Sequence, residues 1–215
     1  MIIEYLGHSC FKLTESTGTS IVCDPYSEEM VGYSMPKVGA DVVTVSHHHG
    51  DHDFTQNVGG APVVIDREEN SDFEGVEINS IKSFHDSSRG KKRGENVIFK
   101  FRMDGIDVCH LGDLGEKCSS DLIETLLPVN VLLIPVGGNY TIDAEMAKEY
   151  VDRIMPDIVI PMHYRTKDCK LDIDRVDEFL NLFDGDVVEE VDGNSIELSR
   201  TDLSGETKIV VLRRT

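Results

Sequence analysis

Four of the chain's eight histidines fall within seven residues, SHHHGDH at 46–52, directly after the run DVVTVS at 41–46. A short, β-branched apolar run predicts a buried strand, so these imidazoles are delivered together at a strand's end. His47 and His49 are two residues apart and project to one side, whereas His48 points to the other. Gly50 lets the chain turn sharply before Asp51 and His52. Two imidazoles and a carboxylate converging from one turn suit zinc, manganese or iron. Without a metal, the same imidazoles would be costly to bury and would repel one another when protonated. The fold must therefore bring further ligands to this strand end from distant parts of the chain.

The remaining histidines are His8, His85, His110 and His163. Three follow strand-like runs: His85 after IKSF, His110 after DVC and His163 after IVIPM. Asp113 lies in HLGDLG, where Gly112 and Gly115 permit a tight loop. Strand C-termini gathered at one sheet edge are a usual place to assemble a site. Strands are predicted at 2–6, 10–13, 20–24, 41–46, 62–66 and 76–84. Two more flank Asp104-Gly105, a two-residue hairpin signal. The second half adds a Ser-capped helix in SSDLIETLLP and a buried strand in VNVLLIPV. A helix follows in IDAEMAKEYVDRIMP, with Ala147, Tyr150, Val151 and Ile154 on one face. DIVIPMH reads as a strand, and Ile173, Val176, Leu180 and Phe183 predict a helix over 172–183. SIELSR and KIVVLR close the pattern as strands. Many strands with a few helices imply two packed sheets flanked by helices.

The pattern His47-x-His49-x-Asp51-His52, followed in order by His85, Asp113 and His163, resembles the metallo-β-lactamase superfamily. The segments LGHSCFKL…IVCDPY, HLGDLG and YTIDAEMAKEYV…IVIPMHY are similar to its branch of Zn-dependent hydrolases related to L-ascorbate-6-phosphate lactonase. The resemblance implies an α/β (α+β) fold, a four-layer αββα sandwich of two mixed sheets, as one domain over 1–215. It also implies a binuclear centre: His47, His49 and His85 hold one metal, Asp51, His52 and His163 the other, and Asp113 bridges them. Zinc is the metal expected, with manganese and iron as alternatives. Two cations sharing a water generate hydroxide near neutral pH. Attack on a lactone, ester or phosphoester of a small anionic substrate follows, with Asp51 orienting the nucleophile or carrying its proton.

Charge and composition narrow the partners. Asp and Glu number 40 against 21 Lys and Arg, a net charge of −19. Such a surface repels nucleic acid and anionic membranes at long range, so neither is an expected partner. No apolar stretch is long enough to span a bilayer, and MIIEYLGHSC lacks the pattern of a signal peptide. A cytoplasmic location is expected. The five cysteines, without a CxxC pair, read as reduced thiols. Alternatives to a small-molecule hydrolase are a phosphodiesterase or nuclease of the same fold, an iron-dependent oxygenase, and a metal-binding protein without turnover. The H-x-H-x-D-H pattern differs from the H-x-E-x-D of flavodiiron relatives.

Other residues are candidates for supporting or substrate-contacting roles. His8 and His110 fall outside the seven implied ligands, and each reads as supporting the site or as a hydrogen-bonded core histidine. Asp24 in CDPY could orient a ligand histidine or cap the turn before Pro25. Arg89, Lys91, Lys92 and Arg93 interrupt the acidity in HDSSRGKKRGEN and read as an anion-binding flap or as a solvated hairpin. Asn139 and Tyr140 precede a helix that Thr141 or Asp143 would cap. The irregular segment 27–39 covers the pocket or connects the sheets.

Overall fold

A computed structural model of the chain describes residues 1–214. One sheet contains, in spatial order, Ser195–Glu197, Ile2–Gly7, Cys10–Thr14, Ser20–Cys23, Val42–Thr44 and Val63–Ile65. Its last three strands run parallel. The second sheet contains Val188–Glu190, Lys208–Val211, Ile158–Met162, Val131–Pro135, Ile106–His110, Glu95–Met103, Val76–Phe84 and Asn70–Phe73. The four from Asn70 to His110 form an antiparallel meander, and those from Ile106 to Val211 are joined in parallel. Asp104 and Gly105 both take positive φ, 50° and 73°, the backbone that a two-residue hairpin needs.

Alternation of side chains along the strands creates two faces per sheet. Ile3, Phe11, Leu13 and Ile21 of the first sheet pack against Ile78, Phe99, Phe101 and Leu133 of the second, forming the core between them. The opposite face of the second sheet offers Ile98, Leu132, Ile134 and Val159 to the helices. Helix Ala144–Ile154, capped by Asp143, buries Ala147, Tyr150, Val151 and Ile154 there. Each large side chain so buried contributes roughly 1.5–3 kcal/mol. Helix Ser120–Leu126, capped by Ser119, adds Ile123 and Leu126. On the outer face of the first sheet, the short helix Glu28–Val31 and irregular chain cover Leu6, Val22 and Val43 with Val31, Tyr33 and Met35. Segment 27–39 thus closes that face of the sandwich. Cys10, Cys23 and Cys109 are buried free thiols. Among the described residues, no helix is long and apolar enough to cross a membrane.

The helix predicted over 172–183 is shorter than its apolar spacing implies, running only over Asp177–Leu180. Asp174 donates its N–H to the Gly137 carbonyl (2.7 Å) and accepts from the Arg165 N–H (2.7 Å). Those long-range bonds take the groups a helix would use, and Ile173 is buried as part of a loop.

Candidate metal centre

The sheets place their strand C-termini along one edge. Gly7 leads to His8, Cys23 to Asp24, Thr44 to Ser46 and His47, Phe84 to His85, His110 to Asp113, and Met162 to His163. The α/β rule that sites form outside the carboxyl ends of strands holds for both sheets. Three of these residues sit at positive φ: His8 (55°), Asp24 (46°) and His163 (51°). The left-handed turn costs about 1–2 kcal/mol for a non-glycine residue, and here it follows directly on the strand's end. Gly112 takes φ 55°, and a Cβ there would meet Ser46 Cβ and Asn96 Oδ1, each at 2.5 Å. Only glycine lets the HLGD loop pass this close.

Of the six other residues expected as ligands, four approach Asp113 directly. His52 Nε2 lies 3.2 Å from Asp113 Oδ1. The Nε2 atoms of His85, His163 and His47 lie 3.3, 3.4 and 3.7 Å from Oδ2. His47, His49 and His85 form one group of converging donors, and Asp51, His52 and His163 belong to another, which also contains His8. His47 and His49 rings are 4.6 Å apart and perpendicular, on the same side as expected from their spacing. His48 is 66% exposed in its side chain and faces Asp53 and Asp66 instead.

The donor atoms are prepared for a cation. Ser46 donates its hydroxyl to Asp24 Oδ2 (2.6 Å) and its N–H to Asp24 Oδ1 (2.8 Å). With that proton committed, Ser46 Oγ accepts from His47 Nδ1, 3.0 Å away. Asp24 Oδ2 also accepts from His52 Nδ1 at 2.8 Å. Both rings therefore carry hydrogen on Nδ1 and aim Nε2 toward Asp113, where a cation would take its lone pair. These two Nε2 atoms and Asp113 Oδ1 are buried without any hydrogen-bond partner. Leaving such groups unpaired costs about 1–3 kcal/mol each, and a shared cation removes that cost. Ligands about 2.0–2.1 Å from a tetrahedral metal are about 3.3 Å from one another, close to the separations found here. The residues present fit divalent metal ions.

Burial would lower His52, but Asp113 and Asp51 outweigh it and raise it well above its ordinary value, so the carboxylates draw positive charge that a bound cation would supply instead. Burial would push the Asp113 carboxyl up, but the imidazoles of His163 and His52 outweigh it and hold it well below the usual range. Burial drives His47 down to about 3, keeping its ring neutral. Burial also lowers His110, whose Nε2 donates to the Ser9 carbonyl (2.8 Å) while Nδ1 accepts from the Gly112 N–H (3.2 Å). His110 thus ties the Asp113 loop to the turn after the first strand.

Two contributors were not foreseen. Asn96, fully buried, accepts the Asp113 N–H (2.8 Å) and donates to Ser83 Oγ (2.7 Å) and the Leu111 carbonyl (2.9 Å). Its one signal in the sequence is an amide directly before the apolar run VIF near the start of a strand. Ser46 had the signal of adjacency to His47, but its bond to Asp24 spans 22 residues.

A cleft of about 590 Å³ opens over the centre, walled by Met30, His49, Lys92, Arg93, Tyr140 and Leu171. Arg93 stacks over the Tyr140 ring at 5.3 Å. Arg89 and Lys91 do not line this cleft, a correction to the four-residue flap. Asp86 winds this loop tightly: its carboxylate accepts N–H bonds from Ser88, Gly90, Lys92 and Arg93 (2.7–3.1 Å). Asn139 is also absent from the wall, since its amide donates to the Asp172 carbonyl (2.7 Å). Asp143, rather than Thr141, caps the following helix through the Met146 N–H.

Burial would raise the Asp86 carboxyl, but the four backbone N–H groups together outweigh it and hold it at about 2. A depressed carboxylate orders its loop above its unfolded pKa of about 3.9 and releases it as pH falls through about 2. Amide protection of Lys92 and Arg93 is thus expected to be constant from pH 4 upward and to be lost in Asp86→Ala. Hydrogen exchange by NMR checks both; equal protection factors in the variant would refute this role.

Residues 2–163 match the Beta-lactamase superfamily domain. A UPF0173 metal-dependent hydrolase of Carboxydothermus hydrogenoformans is 30% identical over 196 residues, covering 77% of this chain and 85% of the relative. Another, from Thermoplasma acidophilum, is 31% identical over 77% of this chain and 84% of its own length. Among solved structures, a Thermotoga maritima protein described as a Zn-dependent hydrolase of the metallo-β-lactamase superfamily is 41% identical. It superposes with a TM-score of 0.81, covering 98% of this chain and 97% of that one.

Proposed function

The chain belongs to the metallo-β-lactamase superfamily and is a metal-dependent hydrolase of that fold; on that premise we propose that it uses two divalent metal ions to open a small anionic lactone or phosphoester. One observation carries this reading: His47, His49, Asp51 and His52 from one strand end gather with His85, Asp113 and His163 from three others beneath a cleft walled by Lys92 and Arg93. His47, His49 and His85 hold one ion, Asp51, His52 and His163 the other, and Asp113 links them. Zinc suits the donor set, and manganese or iron would also be accepted. Such ions polarise the scissile group and supply a nucleophile from water near neutral pH.

The chain's own residues do the rest. Lys92 and Arg93 bind the substrate's phosphate or carboxylate, Arg93 being steadied by its stack on Tyr140. Asp51 reaches the cleft. Burial raises its carboxyl, but His52 and His8 outweigh that and keep it low. It is thus anionic across the physiological range, suited to orient the attacking water and poorly suited to retain its proton. Asp24 and Asn96 keep His52 and Asp113 in place.

Lactone and phosphoester panels, with oxygen uptake followed in parallel, test the reaction class. Turnover without oxygen consumption is expected; oxygen consumption or no turnover on any member would overturn it. Replacing Lys92 and Arg93 together by Ser is expected to raise KM for an anionic substrate by about 10–100-fold, with little change in kcat. Arg89 and Lys91 replaced together should leave KM unaltered. Equal KM in all three proteins would remove the basic wall from substrate binding.

A further inference from the structure

His8 lies outside the ligand set described above, yet the structure seats it among those ligands. It is fully buried. Its Nε2 is 3.3 Å from Asp51 Oδ2, and one donor atom each of His8, Asp51, His52 and His163 lie within 4.8 Å of one another. The 3.3 Å separation is about that of two ligands on one tetrahedral metal. The main chain holds His8 in this place. His8 donates its N–H to Tyr33 Oη (3.0 Å), and its carbonyl accepts from the His163 N–H (3.0 Å) and Tyr5 Oη (3.2 Å). The preceding Gly7 takes φ 115°, and a Cβ there would strike Tyr26 Oη at 2.6 Å. The backbone is thus fixed from several sides, at a residue whose left-handed φ is itself unfavourable, and the ring packs beside that of His163, 4.4 Å between centroids.

The two groups of donors also differ in exposure. All four residues of the His8 group are buried, with Asp51 among them also reaching the cleft, whereas His49 in the other group is exposed and forms part of the cleft wall.

We propose that His8 is a metal ligand, which with Asp51, His52, His163 and the shared Asp113 makes one half of the centre the more deeply buried and more tightly held site, and leaves the more exposed His47–His49–His85 half facing the cleft. This rests on the two-metal reading above and adds a ligand to it. A side chain that merely supports a ligand typically changes metal affinity by about 10–100-fold, so a ligand must exceed that range.

The test is competition of Zn²⁺ between a chelating indicator and the metal-free protein. Wild type is compared with His8→Asn, His8→Gln and His49→Asn. Asparagine tolerates the left-handed backbone at this turn, and glutamine retains a longer side chain, so circular dichroism should report a native fold for at least one. Both His8 variants are expected to weaken the tighter of two equivalents by more than about 100-fold, leaving the other near wild type. His49→Asn should weaken the other equivalent. With one equivalent of Co²⁺, the visible band should change in the His8 variants and persist in His49→Asn. A smaller loss, or an unchanged Co²⁺ band in a folded His8 variant, would make His8 a positioning residue and overturn the proposal. A wild-type chain that takes up fewer than two equivalents would instead defeat the two-metal reading and the proposal with it.

Discussion

Asp113→Ala is expected to purify with fewer than one metal ion per chain, against two for wild type, and to lose turnover by at least about 10³-fold. Asp113 is the one side chain whose carboxylate oxygens approach donors of both groups, Oδ1 near His52 and Oδ2 near His47, His85 and His163. Its removal leaves those imidazoles without the charge that balances two cations. His85→Ala should be milder, retaining about one ion, because it belongs to one group alone. Elemental analysis of protein purified without added metal measures both. Two ions in Asp113→Ala would mean that the bridge lies elsewhere.

Loss of Asp24 should be felt in stability as much as in metal binding. Asp24 and His52 are both fully buried and 2.8 Å apart, and Asp24 also accepts two bonds from Ser46. Burial alone would raise the Asp24 carboxyl; the hydrogen bond and charge of His52 more than reverse this. Asp24→Ala strands the His52 Nδ1–H and both Ser46 donors in the interior. Breaking a buried pair from one side costs about 3–5 kcal/mol, and freeing a ligand histidine to rotate lowers metal affinity about 10–100-fold. Urea unfolding of metal-free protein separates the first effect from the second, which chelator competition measures. Asp24→Asn should fall between, retaining an acceptor for Ser46 but not the charge. An alanine variant with wild-type stability and affinity would show that the His52 tautomer is set by something else.

Much of this site was legible along the chain. The run before SHHHGDH marks a buried strand, and spacing by two puts His47 and His49 on one side. His85, Asp113 and His163 each follow an apolar run, so their place at strand ends could be anticipated. The hairpin at Asp104-Gly105 and the caps at Ser119 and Asp143 were equally local, since each depends on a few adjacent residues. The helix at 172–183 failed because Asp174 is drawn into bonds with Gly137 and Arg165, partners that no local pattern contains. Arg89 and Lys91 look equivalent to Lys92 and Arg93 in the sequence, and only the winding of their loop around Asp86 separates them.

The sequence by itself therefore determined the chemistry: a set of imidazoles and carboxylates at strand ends that suits divalent metals, and a resemblance that places them in one superfamily. Tertiary structure alone decided which nitrogen of each ring faces the centre, through Asp24 and Ser46, and that Asn96 carries Asp113. It also decided that His8, at the far end of the chain from His163, joins the same cluster. The physical reason is range. Side-chain direction along a strand repeats every two residues and can be read locally. Hydrogen-bond partners across a sheet edge depend on strand order and register, which bring residues 22 to more than 150 positions apart within a few ångströms.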